Sequence, residues 1–158
     1  DDFIDKDVTI KGYINEIVKS FEEISTKKFI LNFEQNSNNL TFSKSIEVVY
    51  GLRNFIGNAN KFTNKNIYIT VKSDSDITNV IIEDDGLGFP KDVISKIGEP
   101  YIKSLKKDTI PNSGLGLGIF IGKTLLEKNY ANIIFRNSET RGGAEINIVW
   151  KNNDLLSI

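Results

Sequence analysis

The apolar residues of this chain repeat on two periods, and the order in which those periods alternate limits the folds open to it. Val8, Ile14, Ile17, Val18, Phe21 and Ile24 recur at helical spacing, the mark of an amphipathic helix. Asp7 or Thr9 is suited to cap its start. Phe29, Leu31 and Phe33 then fall at every second position, so 28–34 reads as a strand. A polar turn at 35–39 follows, and 40–42 offers a short strand. Ser43 is a candidate cap for a second helix reaching to about Phe62. Ile67, Ile69 and Val71 return to period two. The turn Ser73-Asp74-Ser75-Asp76 joins them to a buried strand around Val80, Ile81 and Ile82, so the pair reads as a hairpin. Pro90 suits the first turn of a short helix through about Ile97.

The segment 98–114 loses both periods and gains Pro100, Pro111, Lys103, Lys106 and Lys107. A loop this long inside a compact domain is either functional or disordered. Helical spacing returns over about 115–128. Strands at 133–135 and 144–150 then close the pattern, joined through Gly142-Gly143. Strands in this order, interrupted by helices, predict a two-layer α/β sandwich: one mixed sheet with helices on one face. The 158 residues fit one domain, 1–158, with a core over about 7–151.

Composition removes several classes of chemistry. There is no cysteine and no histidine. A disulfide scaffold, a thiolate metal site and a cysteine nucleophile are excluded, as are the commonest general base and any acceptor histidine within the chain. The net charge of −1 suggests no nucleic-acid partner. No apolar run approaches the roughly 20 residues a membrane helix needs, and the opening Asp1-Asp2 is unlike a signal peptide. The expectation is a soluble cytoplasmic module that is not itself membrane-bound.

Three constellations carry chemistry. On the second helix Asn54, Asn58 and Lys61 stand at i, i+4 and i+7 and share one face. Asparagine is a mediocre helix-interior residue, so two of them one turn apart, followed by a lysine, read as either a solvated face or a site. In a site, an amide oxygen is a hard ligand for Mg²⁺ and the lysine a mobile charge for phosphate. The second constellation is Asp84-Asp85-Gly86-Leu87-Gly88, where a buried strand ends in a carboxylate followed by alternate glycines. It reads as a tight acidic turn, or as a carboxylate able to accept from an exocyclic amine such as that of adenine. The third is Gly114-Leu115-Gly116-Leu117-Gly118, three alternating glycines where loop becomes helix. A helix start of this kind offers unpaired N–H groups to phosphate. It lacks the Gly-Lys-Ser/Thr of a P-loop, and its leucines are not those of a flexible linker.

Together, in this order, the motifs resemble the GHKL ATP-binding fold (gyrase, Hsp90, histidine kinases, MutL), also called the Bergerat fold, and within it the histidine kinase branch. The stretch 52–63 looks like the N box, Asp84 through Gly88 the G1 box, Gly114 through Gly118 the G2 box, and Gly98-Glu99-Pro100-Tyr101 stands at the place of the F box. A narrower resemblance, carried by 98–101, by 114–126 and by Gly142-Gly143-Ala144, is to the redox-responsive RegB/PrrB type. The sensing part of that type is membrane-embedded and its redox control involves a cysteine; neither is in this chain.

The resemblance implies that the domain binds ATP and Mg²⁺ and transfers the γ-phosphoryl group to a histidine on a separate dimerisation domain of the same parent kinase. That parent would be a homodimer, anchored in the bacterial inner membrane, serving a downstream response regulator. The resemblance implies that Asp84 binds the adenine amine, with Gly86 and Gly88 shaping the base pocket. Asn58 would hold Mg²⁺, with Asn54 and Lys61 near the phosphates. Gly114, Leu115, Gly116, Leu117 and Gly118 would present backbone N–H groups. An ATP lid over 98–114 would supply Tyr101 and Lys103, with Lys106 or Lys107, as further contacts. The chain departs from the family pattern at three points: around Tyr101 and Ile102 in place of the F-box phenylalanines, at Ala144 where many members place threonine, and at Tyr50 where glutamate or histidine is frequent. Two rivals stand beside the kinase: an ATPase of the gyrase or Hsp90 kind, which would need a carboxylate such as Glu47 to activate water, and a nucleotide-binding interaction module of the anti-sigma kind.

Overall fold

The computed structural model describes residues 7–34, 40–97 and 116–158. Helix α1 (Ile10–Glu22) begins at Thr9, whose hydroxyl accepts from the Gly12 N–H at 2.9 Å. Its buried stripe is Ile10, Tyr13, Ile14, Ile17 and Val18, the three- and four-residue spacing read from the sequence. Strand β1 (Asp7–Val8) pairs antiparallel with β3 (Phe42–Ser43). Ser43 is therefore a strand residue and not the expected helix cap, because its backbone is engaged opposite Asp7. The cap of α2 (Ile46–Phe62) is Ser45, whose hydroxyl accepts from Val48 N–H at 3.2 Å while its own N–H donates to the buried Tyr13 hydroxyl at 2.8 Å.

Five strands form the main sheet in the order β2 (Lys28–Phe33), β4 (Asn66–Ser73), β5 (Ile77–Asp84), β7 (Ala144–Lys151), β6 (Asn132–Asn137). Only β2 and β4 run parallel; the other neighbours are antiparallel. A parallel pair needs a crossover rather than a tight turn, and α2 lies in that connection. One face of the sheet, carrying Ile67, Ile69, Val80, Ile82, Ile146, Ile148 and Trp150, is buried against Val48, Leu52, Phe55 and Ile56 of α2. Each such side chain contributes about 1.5–3 kcal/mol by leaving water. Tyr68, Thr70, Asn79 and Asn147 on the opposite face remain partly exposed. The mixed sheet with helices on one face is the expected architecture.

Two shorter helices and one long one complete the layer: α3 (Lys91–Ile97), α4 (Gly116–Lys128) and α5 (Asn152–Leu156). Helices α2 and α4 cross antiparallel and very close. A Cβ on Gly122 would lie 2.6 Å from a Phe55 ring carbon, and one on Gly51 2.6 Å from Leu126 Cγ. The seam is tied at its far end by Glu47, which accepts from Lys128 Nζ at 2.9 Å and Asn129 Nδ2 at 3.1 Å. The short α5 was not expected. It is held by Asn152, which accepts from the Thr78 hydroxyl at 2.7 Å and donates to the Asp74 carbonyl at 2.8 Å. Among the described residues no helix is long and apolar enough to cross a membrane.

Candidate functional site

Strand β5 is central, so its last residue, Asp84, is only 3% exposed. Its Oδ1 accepts from Gly86 N–H at 2.8 Å and from Ala144 N–H at 3.2 Å, and its carbonyl accepts from Gly143 N–H at 3.1 Å. Its other carboxylate oxygen meets no donor among the described residues. Burial raises its pKa, partly opposed by those two amides, and the neighbouring charge of Asp85 raises it further. A desolvated carboxylate with one free acceptor is built to receive a hydrogen-bond donor, since buried polar atoms are otherwise paired. Gly143 is obligatory in this packing: a Cβ there would overlap the Asp84 carboxylate and lie 2.6 Å from Gly86 N.

Asp84 floors a cavity of about 210 Å³ walled by Phe62, Leu87, Gly88, Phe89, Pro90 and Ala144, with Asn58 at one side. Cavities for drug-sized ligands run about 300–1,000 Å³, so this one has room for only a smaller group. Its outer wall is set by Asn137, whose Oδ1 accepts from Phe89 N–H at 2.7 Å while its Nδ2 donates to Phe89 O at 3.2 Å. Gly88 there has φ +85°, a left-handed conformation that glycine takes without steric cost. Phe89 is braced edge-on by Phe135, and Phe135 by Phe55.

Asp85 points to a different task. Its Oδ1 accepts from the Thr63 hydroxyl at 2.7 Å and from the N–H groups of Asn64 and Lys65, both at 2.9 Å; its Oδ2 accepts from Asn66 N–H at 3.2 Å. Burial alone would raise its pKa, but the bonds from Lys65, Thr63, Asn66 and Asn64 outweigh it and hold the carboxyl below the usual range. Asp85 thereby fastens the end of α2 to the end of β5.

A second cavity, of about 220 Å³, lies along α2 and is lined by Arg53, Asn54, Gly57, Asn58, Lys61 and Gly118. The three polar residues singled out on α2 are thus brought together, and α4 contributes Gly118. Asn58 lines both cavities; it is 9% exposed and its side chain makes no hydrogen bond to any described residue. Asn54 donates through Nδ2 to Tyr50 O at 2.8 Å, and its oxygen meets no donor among the described residues. Among the described residues no carboxylate lines this second cavity. Glu47 is engaged at the far end of the α2–α4 seam, where hydrogen bonds from Asn129 and Lys128 hold its carboxyl below the usual range.

Of the other candidates, Gly86 packs beneath Phe62 O, Gly116 is buried at the start of α4, and Leu117 is half exposed. Tyr101, Lys103, Lys106, Lys107, Gly114, Leu115 and the predicted turn at 35–39 lie outside the described residues. Sequence reasoning missed Phe62, Leu87, Phe89 and Pro90 as cavity walls, along with Asn137, Gly143 and Arg53. Only Gly143 carried a local signal, as half of a glycine pair.

A family model described as histidine kinase-, DNA gyrase B-, and HSP90-like ATPase matches residues 44–154. The chain belongs to that family. Sensor histidine kinase RegB of Cereibacter sphaeroides is 32% identical over 127 residues, a match covering 71% of this chain and 28% of RegB. The chain therefore spans under a third of that relative's length. Among solved structures, the catalytic domain of histidine kinase ThkA superimposes with a TM-score of 0.73 at 20% identity, covering 92% of this chain and 96% of that one. The mycobacterial sensor histidine kinase MprB gives 0.69 at 18%, covering 94% and 97%. These two likenesses are of fold.

Proposed function

We propose that this chain is the ATP-binding catalytic domain of a two-component sensor histidine kinase. The observation that carries the reading is the pair of cavities joined at Asn58: one apolar with a buried acceptor at its floor, the other lined by amides and cations. Asp84 accepts from the adenine amine, and Phe62, Leu87 and Phe89 enclose the base. Asn54, Lys61 and the start of α4 receive the phosphates. Asn58 fits a Mg²⁺ ligand: a hard amide oxygen, nearly buried and unpartnered, between base and phosphates. Mg²⁺ keeps several waters and takes part of its coordination from substrate phosphates, so few protein oxygens are needed to place it. When bound, the ion would neutralise charge on the phosphates.

Phosphoryl transfer depends chiefly on positioning and electrostatics. The P–Oβγ bond breaks, a P–N bond forms to the acceptor imidazole, and ADP leaves. The imidazole is itself the nucleophile, so this chain need supply no base, and among the described residues the second cavity holds none. That same feature disfavours hydrolysis by a Glu47-activated water, because Glu47 is committed to Lys128 and Asn129. The acceptor histidine belongs to a dimerisation domain of the same parent, a homodimer anchored in the inner membrane and paired with a response regulator. The present residues form one cytoplasmic domain of it.

Titration calorimetry with a non-hydrolysable ATP analogue tests the reading. Binding is expected to need Mg²⁺ in the wild type, to lose that dependence in Asn58→Ala, and to weaken at least tenfold in Asp84→Asn. Unchanged affinity in Asp84→Asn would remove the base assignment. Phosphorylation of a histidine-bearing dimerisation domain supplied in trans tests the transfer step.

A further inference from the structure

We propose that Arg53 is a binding residue for the terminal phosphoryl group, a role that rests on the nucleotide reading above. Arg53 lies on the same broad arc of α2 as Asn54, Gly57, Asn58 and Lys61 and lines the second cavity with them. Its guanidinium is held ready by α1: one N–H donates to the Ser20 hydroxyl at 3.1 Å, and Cζ sits 5.3 Å from the centroid of the Phe21 ring. A guanidinium carries five N–H donors, and this is its one hydrogen bond among the described residues. Neither Arg53 nor Lys61 is paired with a carboxylate there; Lys61 Nζ lies 5.5 Å from the centroid of its neighbour Phe62. Arg53 also borders a cavity on the α1 side that holds Glu16, but among the described residues the cavity it shares with Lys61 is lined by two cations and no acid, the makings of an anion site.

Gly57 lets α1 pack close beside the cations. It stands one turn from each cation, and a Cβ on it would already press on the Phe21 ring at 3.3 Å. The position along α2 selects which phosphate is met. Phe62 walls the base cavity and Asn58 joins the two cavities. Arg53 lies a further five residues toward the helix start, about 7.5 Å beyond Asn58 and about 13 Å beyond Phe62 at 1.5 Å per residue. A nucleotide whose base sits on Asp84 brings its last phosphate, not its first, to that place. Arginine suits it because the planar fork can grip two phosphate oxygens at once.

The test uses the 158-residue chain with Mg²⁺ and two probes, ADP and a non-hydrolysable ATP analogue, with Arg53→Met to keep the apolar stem and Arg53→Lys to keep the charge. A hydrogen bond to a charged group is worth roughly tenfold or more in affinity. The expected result is a tenfold or larger loss for the triphosphate analogue in Arg53→Met, a change of less than about threefold for ADP, partial recovery in Arg53→Lys, and an unaltered melting temperature of the free chain. Equal analogue affinity in wild type and Arg53→Met overturns the proposal. So does a parallel loss for both probes accompanied by a lower melting temperature, which marks Arg53 as a brace for α1. Failure of the nucleotide reading is distinct: Asp84→Asn would then leave both probes bound as in the wild type.

Discussion

Removing the Asp85 carboxylate tests how the site is held together. Asp85→Ala deprives four donors of a charged acceptor, but not equally. The Asn64 and Lys65 amides are exposed, so water replaces most of what they lose. The Thr63 hydroxyl keeps an alternative acceptor in Asn66 O at 2.5 Å. The part-buried Asn66 amide has no such alternative. Hydrogen bonds to charged groups contribute about 1.5–3 kcal/mol each when shielded. One full loss and three discounted ones give a destabilisation of about 2–3 kcal/mol. For a domain of this size that lowers the melting temperature by about 4–12 °C. Urea denaturation followed by circular dichroism at neutral pH measures the free energy directly. Asp85→Asn, which keeps one acceptor oxygen, is expected to lose about half as much. A loss under about 0.5 kcal/mol in Asp85→Ala would refute the reasoning, as would an alanine variant no worse than the asparagine one.

Asp84 and Asp85 should answer acid in opposite senses. The folded pKa of Asp85 lies below its unfolded value, so its stabilisation is present above about pH 4 and disappears as pH falls through the folded value. That of Asp84 is raised, so its ionisation opposes folding as pH rises from the unfolded to the folded value. Urea midpoints of Asp84→Asn and Asp85→Asn between pH 3 and 7 would show the two trends. Nucleotide binding should weaken in acid as Asp84 takes up its proton, and Asp84→Asn should remove that dependence, read by calorimetry across the same range. Gly143→Ala should abolish base binding and destabilise the chain by about 1–3 kcal/mol through overpacking, measured by the same melt and titration. Leu87→Ser, on a fully exposed side chain that walls the base cavity, should weaken nucleotide binding with no change in melting temperature.

What could be read in advance was what repeats locally. The stripe of α1, the hairpin of β4 and β5, and the face shared by Asn54, Asn58 and Lys61 each follow from spacing within one element. Ser43 was misread because a cap signal is local while its pairing with Asp7 is not. The helix α5 is too short to show a period, and it depends on Asn152 reaching Thr78 on β5 and Asp74 in the β4–β5 turn. Asn137 and Arg53 were illegible for the same reason. Their roles come from a partner brought close by the sheet order or by the α1–α2 packing, and nothing in the flanking residues announces it. Asp85 shows the limit most plainly. The sequence shows only two adjacent acids, yet the oxygens of Asp85 face the backbone after α2, while Asp84 keeps one oxygen open to the cavity.

The place of β7 in the sheet has a consequence for how the chain becomes competent. It follows β6 in sequence but lies inside the sheet, between β5 and β6. Until it inserts, β5 exposes an unpaired edge, and such edges are adhesive. The Ala144 amide that orients Asp84 belongs to the first residue of β7. The base cavity therefore cannot exist in any form of the chain that lacks this strand. A ligand held there selects the completed sheet and adds about 2.7 kcal/mol to its stability at a hundred times its dissociation constant. A ligand in that cavity would thus act as a clasp on the β5–β7 join, shielding the edge of β5 from neighbouring molecules.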